Sequence, residues 1–564
     1  MNKNIVANVV FTVFVSFFTF SGIFGAERPQ SSSFELIKHD YISGLISIEQ
    51  MRVLQVKTLF EPEKLEEKYQ SESLSVIKSG TELIMTIREN WSSFDSEEKA
   101  YISQFLYRPE KDTSFISTAG YFRIYYDITG IEPVPLEDAN TNDVPDYVER
   151  IALYSDSTYN AYVNLYGYLP PVIDTSGGNT YYDIYLVSIG AYGATVPEEE
   201  GDSSWNDYSS YIMMHNNFYS FPPNEDPEGD TIGAQKVTCA HEFYHAIQLA
   251  YDNDATNNLW WMEAGSTFME EYLFSEVNDN YAYLPYFFNE PFKTLRASIG
   301  FHKYGAFIWP LYLVDIYGIN ILRDSWEACR ANIPLDAIDS ALSPLGKDVS
   351  KVFPEFTIWN YCTNVNALPE KYYPEAENYP MVDIDQYQLT LVHDSLKPVY
   401  APDGLGCNYI DLTVDTSVHG IFEIELTGSD LARWGLSVIF SGEGGCDTSL
   451  STIAPWNQPI LFHMPFVEDY DNVIVVPSVV SKHLEDLQYS IRTKVLPYGD
   501  ANNDETVNVG DAIFVINYSF KGGPEPEPII ESGDANCDGF VNIADAVRLV
   551  SFVFHGGDAP CSDR

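Results

Sequence analysis

The chain has few basic residues and few histidines. Among its 564 residues, 31 are Lys or Arg, 82 are Asp or Glu and 10 are His, which gives a net charge of −51. A surface this acidic repels phosphate groups and anionic lipid headgroups, so nucleic acid and anionic membrane surfaces are excluded as ordinary partners. Much of the acidic charge lies in clusters of Asp and Asn, and this clustering predicts bound calcium.

Long apolar runs are missing beyond the N-terminus. Residues 4–26 carry no charge, follow Lys3 and include a Val- and Phe-rich stretch from Val9 to Phe20. This pattern is typical of a secretory signal peptide, predicted as residues 1–26, with an uncleaved membrane anchor as the alternative. We therefore expect a secreted, extracellular protein, released or held at the cell surface, with no membrane span after the signal is removed.

Cysteine is also scarce, with seven residues. Export permits disulfides, and the odd count leaves one cysteine over. The predicted pairs are Cys537 with Cys561, Cys407 with Cys446, and Cys329 with Cys362, which leaves Cys239 free.

The pentapeptide His241-Glu242-Phe243-Tyr244-His245 is the most informative feature that is present. It lies in Thr231–Asp252, a stretch with helical character, where residues i and i+4 share a face, so both imidazoles can bind one ion. Zinc suits two imidazoles and a carboxylate and keeps a further position open for water. Glu242 is placed to act on that water rather than to bind the metal.

The third zinc ligand is predicted in a second apolar, helical run. Glu263 follows His245 by 18 positions, and the Asp and Asn residues between them predict a turn that folds this run back on the first helix. Glu270 lies two helical turns beyond Glu263 and is predicted to orient a ligand histidine. Glu270 or Glu271 as the third ligand is the alternative.

These two segments resemble the gluzincin zinc metallopeptidases, whose H-E-x-x-H is followed by a Glu in an E-G-x-A-like helix. The corresponding residues here are Glu263-Ala264-Gly265-Ser266, with Ala in place of the usual Gly. The wider order is similar to a family of secreted bacterial metallopeptidases: F-R-I-x-Y, an Asp/Asn loop ending in P-D-Y-V-E, and H-E-x-x-H-A-x-Q. The resemblance covers about residues 31–497. It implies one catalytic zinc, Glu242 as general base, and a downstream oxyanion donor, Tyr304 or His302.

The length predicts several domains. Residues 27–107 have helical spacing and are predicted to form a helical N-terminal region or a propeptide. Residues 108–386 are the predicted metallopeptidase domain, and the short alternating runs of residues 387–496 predict a β-sandwich. The predicted fold class is therefore multidomain α+β, with a zincin-like domain, a β-sandwich and a small all-α EF-hand-like module at residues 498–564.

A twelve-residue loop from Asp138 to Glu149 has oxygen-bearing side chains at positions 1, 3, 5, 9 and 12, which is the EF-hand spacing for calcium. We predict a structural calcium site there, with an Asx-rich turn that caps the next helix as the alternative. The predicted ligands are Asp138, Asn140, Asn142, Val144, Asp146 and Glu149.

The C-terminus contains this spacing twice, in two units 34 residues apart that each continue into a helix and Gly-Gly. The predicted calcium ligands are Asp500, Asn502, Asp504, Thr506, Asn508 and Asp511, then Asp534, Asn536, Asp538, Phe540, Asn542 and Asp545. The two units resemble a type I dockerin, which implies two calcium ions and a cohesin-like or other cell-surface protein as partner. Loop positions 10 and 11, commonly Ser/Thr in dockerins, are Val509-Gly510 and Ile543-Ala544 here.

The sequence thus predicts a secreted zinc-dependent endopeptidase, acting on a polypeptide substrate and attached through a dockerin. One alternative is a non-catalytic surface-assembly protein with an inactive peptidase domain. The other is a dockerin-borne polysaccharide hydrolase, which needs a carboxylate pair that this sequence does not single out.

Overall fold

The computed structural model describes residues 32–71, 76–173, 180–298, 300–368, 370–388, 392–413, 419–442, 445–465 and 470–562. The predicted signal peptide, residues 1–26, lies outside these residues.

The N-terminal region is helical, with one strand inserted. Its helices α1, α2 and α4 each begin with a capping box, which satisfies the free amides of the first turn. The elements are α1 (Ser33–Ile42), α2 (Ile48–Phe60), β1 (Ile77–Ser79), α3 (Thr81–Glu89) and α4 (Ser96–Ser103).

A six-stranded mixed sheet forms the next layer, and β1 is its edge strand. The strand order is β1-β5-β6-β4-β3-β2, with antiparallel pairing in β5–β6 and β2–β3 and parallel pairing elsewhere. The remaining strands are β2 (Thr113–Ile116), β3 (Phe122–Tyr126), β4 (Tyr182–Val187), β5 (Ala191–Glu200) and β6 (Tyr208–His215).

Helices cover this sheet and extend into a second, mostly helical layer. In α6, every residue from Gly233 to Leu249 is buried, because the helix packs against the sheet on one side and against α5 and α7 on others. The helices are α5 (Asp146–Tyr159), α6 (Asp230–Leu249), α7 (Leu259–Leu273), α8 (Leu284–Phe288), α9 (His302–Gly305), α10 (Ile308–Tyr317), α11 (Asn320–Cys329), α12 (Pro334–Leu342) and α13 (Val349–Tyr361). Among the described residues, no single helix has the length and apolar character of a membrane span.

The described residues between Asp385 and Leu496 form two sheets that share a core. The four-stranded sheet has the order β13-β10-β15-β8 and the five-stranded sheet the order β12-β11-β14-β9-β7. Apolar side chains of both sheets meet in one cluster, as expected for a sandwich. The strands are β7 (Asp385–Gln388), β8 (Val392–Leu396), β9 (Ile410–Thr413), β10 (Ile421–Gly428), β11 (Trp434–Gly442), β12 (Gly445–Ile453), β13 (Ile460–Met464), β14 (Asn472–Val479) and β15 (Tyr489–Leu496).

The C-terminal unit has two loop–helix repeats, with helices α14 (Val509–Lys521) and α15 (Ile543–His555). Each helix starts at an Asn capping box and ends at a left-handed Gly. The predicted Cys537–Cys561 disulfide is confirmed.

The other two predicted disulfides are wrong. Cys329 and Cys407 are buried free thiols, so neither can bridge Cys362 or Cys446. Both pack in the apolar core, where cysteine behaves as a small hydrophobic residue, and burial raises the pKa of the Cys407 thiol to about 12. Cys239 is a buried free thiol, as predicted.

Candidate metal centre

The candidate metal centre forms where α6 and α7 pack side by side. His241 and His245 lie one turn apart on α6, and Glu263 lies near the start of α7. One potential ligand atom from each residue lies within 4.8 Å of the other two. The structure therefore brings together the three residues predicted as zinc ligands.

Hydrogen bonds determine which nitrogen of each imidazole faces the centre. His241 Nδ1 donates to Glu270 Oε1 at 2.6 Å, and His245 Nδ1 donates to Gln248 Oε1 at 2.8 Å. Gln248 is itself held in place, because its Nε2 donates to a backbone carbonyl of α7 at 3.1 Å. Both rings therefore present Nε2 toward Glu263, with the outer carboxylate or amide that metal-binding histidines require.

The spacing of the ligand atoms fits a zinc ion. Glu263 Oε2 lies 3.1 Å from His241 Nε2 and 3.5 Å from His245 Nε2. Two ligands of tetrahedral zinc, each about 2.0–2.1 Å from the ion, are roughly 3.3 Å apart. His245 Nε2 and Glu263 Oε1 are buried without a hydrogen-bond partner among the described residues, which is costly unless an ion binds there. These three residues would hold the metal.

The negative charges of Glu263 and Glu270 also favour binding of a cation. Burial alone would lower the pKa of His241, but the carboxylates of Glu263 and Glu270 outweigh this and raise it to about 9. Burial opposes ionisation of Glu263, yet both imidazoles hold its pKa near 2. A metal ion bound to this group would have to displace a proton from His241, so its affinity would fall as the pH is lowered.

Glu242 lies beside this group and is held by one of its two oxygens. Its Oε2 accepts hydrogen bonds from Thr195 Oγ1 at 2.8 Å and from Thr81 Oγ1 at 3.0 Å. Its Oε1 is buried and has no partner among the described residues. Gly193 leaves room for the Glu242 side chain, because a Cβ at residue 193 would lie only 2.7 Å from Glu242 Cγ. The arrangement fixes the carboxylate and leaves one oxygen available for proton transfer.

Of the two oxyanion candidates, Tyr304 lies beside the centre. Its ring is 6.2 Å from that of His241, and burial, followed by the charge of Glu263, raises the pKa of Tyr304, so the hydroxyl remains a proton donor. The His302 ring instead packs 4.9 Å from that of Phe287, and its Nδ1 donates to a backbone carbonyl.

The two alternative ligands lie elsewhere. Glu270 contacts the Nδ1 side of His241, away from Glu263. Glu271 accepts from Asn280 Nδ2 at 3.0 Å, and burial and the charge of Glu375 raise its pKa to about 8. Neither belongs to the metal-binding group found in the described residues.

Several residues of the centre were missed by sequence reasoning. Gln248 is the last residue of the motif H-E-x-x-H-A-x-Q. Its position three residues after His245, on the same face of the helix, could have predicted the hydrogen bond between them. Ser266 Oγ, 3.1 Å from His245 Nδ1, and Thr195 carry no such signal. Thr81 comes from a distant segment, and only the fold brings it to Glu242.

The two C-terminal loops have the same pattern of internal hydrogen bonds. In the first, Asp500 accepts from the amides of Asp504 and Glu505, and Asp504 accepts from the amide of Thr506. The amides and carboxylates at the same positions of the second loop, which begins at Asp534, make the same bonds. In both loops the position-12 carboxylate, Asp511 or Asp545, is fully buried. The backbone amides thus hold the carboxylates at positions 1 and 5 of each loop, which supply calcium ligands in EF-hand loops.

The loop at Asp138 has the same framework. Asp138 accepts from the amides of Asn142 and Asp143, and Asn142 Oδ1 accepts from the amide of Val144. Glu149 closes the loop by accepting from the Asn140 and Asn142 side chains at 2.8 and 2.7 Å. The structure therefore brings positions 1, 3, 5 and 12 of this loop together.

Comparison with known protein families identifies the C-terminal unit. Residues 498–553 match the dockerin type I domain, which confirms that part of the resemblance. Dockerin domains bind calcium and attach to cohesin-bearing partners. No curated protein matches the chain, and the resemblance of the preceding region to gluzincin peptidases remains a prediction.

Proposed function

We propose that the chain is a secreted zinc-dependent endopeptidase that its dockerin attaches to a cohesin-bearing partner. The observation that carries the proposal is the buried His241–His245–Glu263 group, with Glu242 beside it. A structural zinc site is closed by four protein ligands, whereas three ligands leave a position for water, as hydrolysis requires. The dockerin supports an extracellular place of action, because dockerin-bearing proteins are typically extracellular or assembled at the cell surface.

The chemistry is divided among named groups. His241, His245 and Glu263 would hold zinc, which would supply Lewis acidity and a water with a pKa of about 7. Glu242 Oε1 accepts the proton of the attacking water and returns it to the leaving amine, while Thr195 holds Oε2 in place. Tyr304 donates a hydrogen bond to the oxyanion. Glu270 and Gln248 keep both imidazoles oriented. The test is hydrolysis of peptides by the zinc-loaded chain.

The dockerin exposes apolar side chains at the same three positions of both helices. Val509, Ile513 and Phe520 of α14 are exposed, and Ile543, Val547 and Phe554 occupy the equivalent positions of α15. A repeated stripe of exposed apolar side chains favours burial against a partner. We infer that the cohesin-like partner offers a mainly apolar face, in line with Val509 and Ile543 at positions where Ser/Thr is common.

Changing this stripe is expected to weaken attachment. Because the repeat presents the face twice, Ile513→Asp and Val547→Asp are introduced together, and we expect binding to an immobilised type I cohesin module to weaken at least about tenfold. Leu431→Asp, at an exposed leucine of the β-sandwich, is the control and should leave binding unchanged. Unaltered binding of the double variant would show that another surface docks.

We also infer that the loop from Asp138 to Glu149 binds a third calcium ion, because it repeats the framework of the dockerin loops. Elemental analysis of the chain equilibrated with calcium should give three ions, and Asp138→Ala should reduce the count to two. Glu137→Ala, at an exposed residue outside the ligand positions, is the matched control. A count of two in the unaltered chain would favour the Asx-rich turn.

A further inference from the structure

The N-terminal region lies directly on the candidate metal centre. Its strand β1 pairs with the outer edge of β5 in parallel register, with Ile77 opposite Ala191 and Ser79 opposite Gly193. The amide of Gly80 donates to the carbonyl of Gly193 at 2.9 Å. Gly193 is also the residue against which Glu242 packs, so β1 occupies the sheet edge next to the general base.

Two residues of this segment contact the groups assigned to proton transfer and oxyanion stabilisation. The Thr81 hydroxyl donates to Glu242 Oε2 at 3.0 Å and accepts from the amide of Thr195 at 2.8 Å. The backbone of Ser79 lies close enough to the Tyr304 hydroxyl to oppose the rise in its pKa that burial causes. The segment therefore binds Glu242 through a hydrogen bond and lies next to Tyr304.

Two charged residues of the segment pair with charged groups around the centre. Lys78 is fully buried and forms ion pairs with Glu270, at 2.6 Å, and with Asp279. Glu82 pairs with Lys303, whose Nζ lies 3.9 Å from Glu263 Oε1. Because a buried charge is costly without its partner, loss of Lys78 would leave Glu270 and Asp279 buried without a counter-charge.

The result is a centre that a polypeptide cannot enter. His241 and Glu263 are 1% exposed, and Glu242 and His245 are 0% exposed. An open sheet edge is a surface to which extended peptides add as a strand, and β1 already occupies that edge of β5. A polypeptide substrate and the segment would therefore compete for the same edge of β5.

We propose that the N-terminal region, from α1 to α4, is an autoinhibitory prosegment whose residues Lys78–Glu82 close the metal centre until the region is released. The proposal rests on the proposed peptidase function for its biological purpose, but coverage of the centre can be tested by itself. The exposed stretch between α4 and β2 is suited to cleavage, because Tyr107 is 72% exposed while Arg108 is paired with Asp183 and Glu198 of the sheet.

The test introduces a factor Xa recognition sequence between Tyr107 and Arg108 of the full chain. Binding of a peptide hydroxamate, a probe of an accessible metal, and hydrolysis of a quenched fluorescent peptide are measured on the zinc-loaded chain before and after cleavage. We expect cleavage to strengthen hydroxamate binding at least tenfold and hydrolysis to appear. Equal hydroxamate binding before cleavage and after the cleaved segment has dissociated would overturn the proposal.

A second variant covers the case in which the cleaved segment stays bound. Lys78→Met with Thr81→Val removes the two ion pairs of Lys78 and the hydrogen bond to Glu242, and it should strengthen hydroxamate binding of the intact chain at least tenfold. Glu97→Gln, at an exposed residue of α4, is the control and should change nothing. A gain of hydroxamate binding without peptide hydrolysis would support the covering role and overturn the peptidase function, so the two failures are distinguishable.

Discussion

Replacing Glu242 with Gln is expected to lower kcat for peptide hydrolysis by about 10²–10⁴-fold, the usual contribution of a general base. The amide keeps the size of the side chain and can still accept from Thr195, but it cannot take a proton. Zinc content should stay at one ion per chain, because Glu242 is outside the ligand group. Steady-state kinetics after release of the N-terminal region, together with metal analysis, measures both effects.

Glu271→Gln is the matched control for this substitution. Glu271 is a largely buried carboxyl whose pKa is raised to about 8, so at pH 7 the amide replaces a group that is already neutral. We expect its kcat and zinc content to remain at the values of the unaltered chain. Full activity in Glu242→Gln would remove the general-base assignment, and loss of zinc in Glu271→Gln would restore Glu271 as a ligand.

His245→Ala is expected to weaken zinc binding by more than about 100-fold, the upper end of the cost of losing only an outer hydrogen-bond partner. The substitution removes one of three ligands and leaves Glu263 with a single imidazole neighbour. Competition with a chromogenic chelator gives the affinity, and peptide hydrolysis should disappear with the metal.

The chain offers a histidine–carboxylate pair as control for this ligand. In the β-sandwich, His463 Nε2 lies 2.8 Å from Glu423 Oε2, far along the chain from the metal-binding group. His463→Ala should keep zinc affinity and activity unchanged. Unaltered zinc affinity in His245→Ala would mean that the ion binds elsewhere.

The grouping of His241, His245 and Glu263 was predictable from the sequence because its main parts are local. The i, i+4 spacing places His241 and His245 on one face of α6, and Glu263 with Glu270 falls on one face of α7. In the two dockerin loops, the calcium ligands were predictable from the regular spacing of Asp and Asn. In the loop at Asp138, Asp143 stands at position 6, where EF-hand loops usually have Gly. In the structure Asp143 has φ 67°, close to the 66° of Glu505 at the same loop position, and Asp tolerates this left-handed conformation.

The elements that sequence reasoning missed depend on long-range pairing. The strand β1 is only Ile-Lys-Ser, and its Lys78 is buried solely because Glu270 and Asp279 surround it. The strand β5 begins with a continuous buried run rather than an alternating one, so it gave no strand pattern. In the sandwich, β12 has few apolar residues and takes its strand form from pairing with β11. Cys329 and Cys407 also depend on long-range contacts, because their packing in the core, and not their spacing in the sequence, decides whether they form disulfides.

The most direct test of the proposed endopeptidase is digestion of a mixed peptide library in ¹⁸O-labelled water by the zinc-loaded chain freed of its N-terminal region. Mass spectrometry should find new peptide termini, with ¹⁸O in the new carboxylates, and none with the Glu242→Gln variant. The library would also reveal which side chains flank the cleaved bond. A chain that holds one zinc, binds the hydroxamate and yet produces no new termini would contradict the peptidase function.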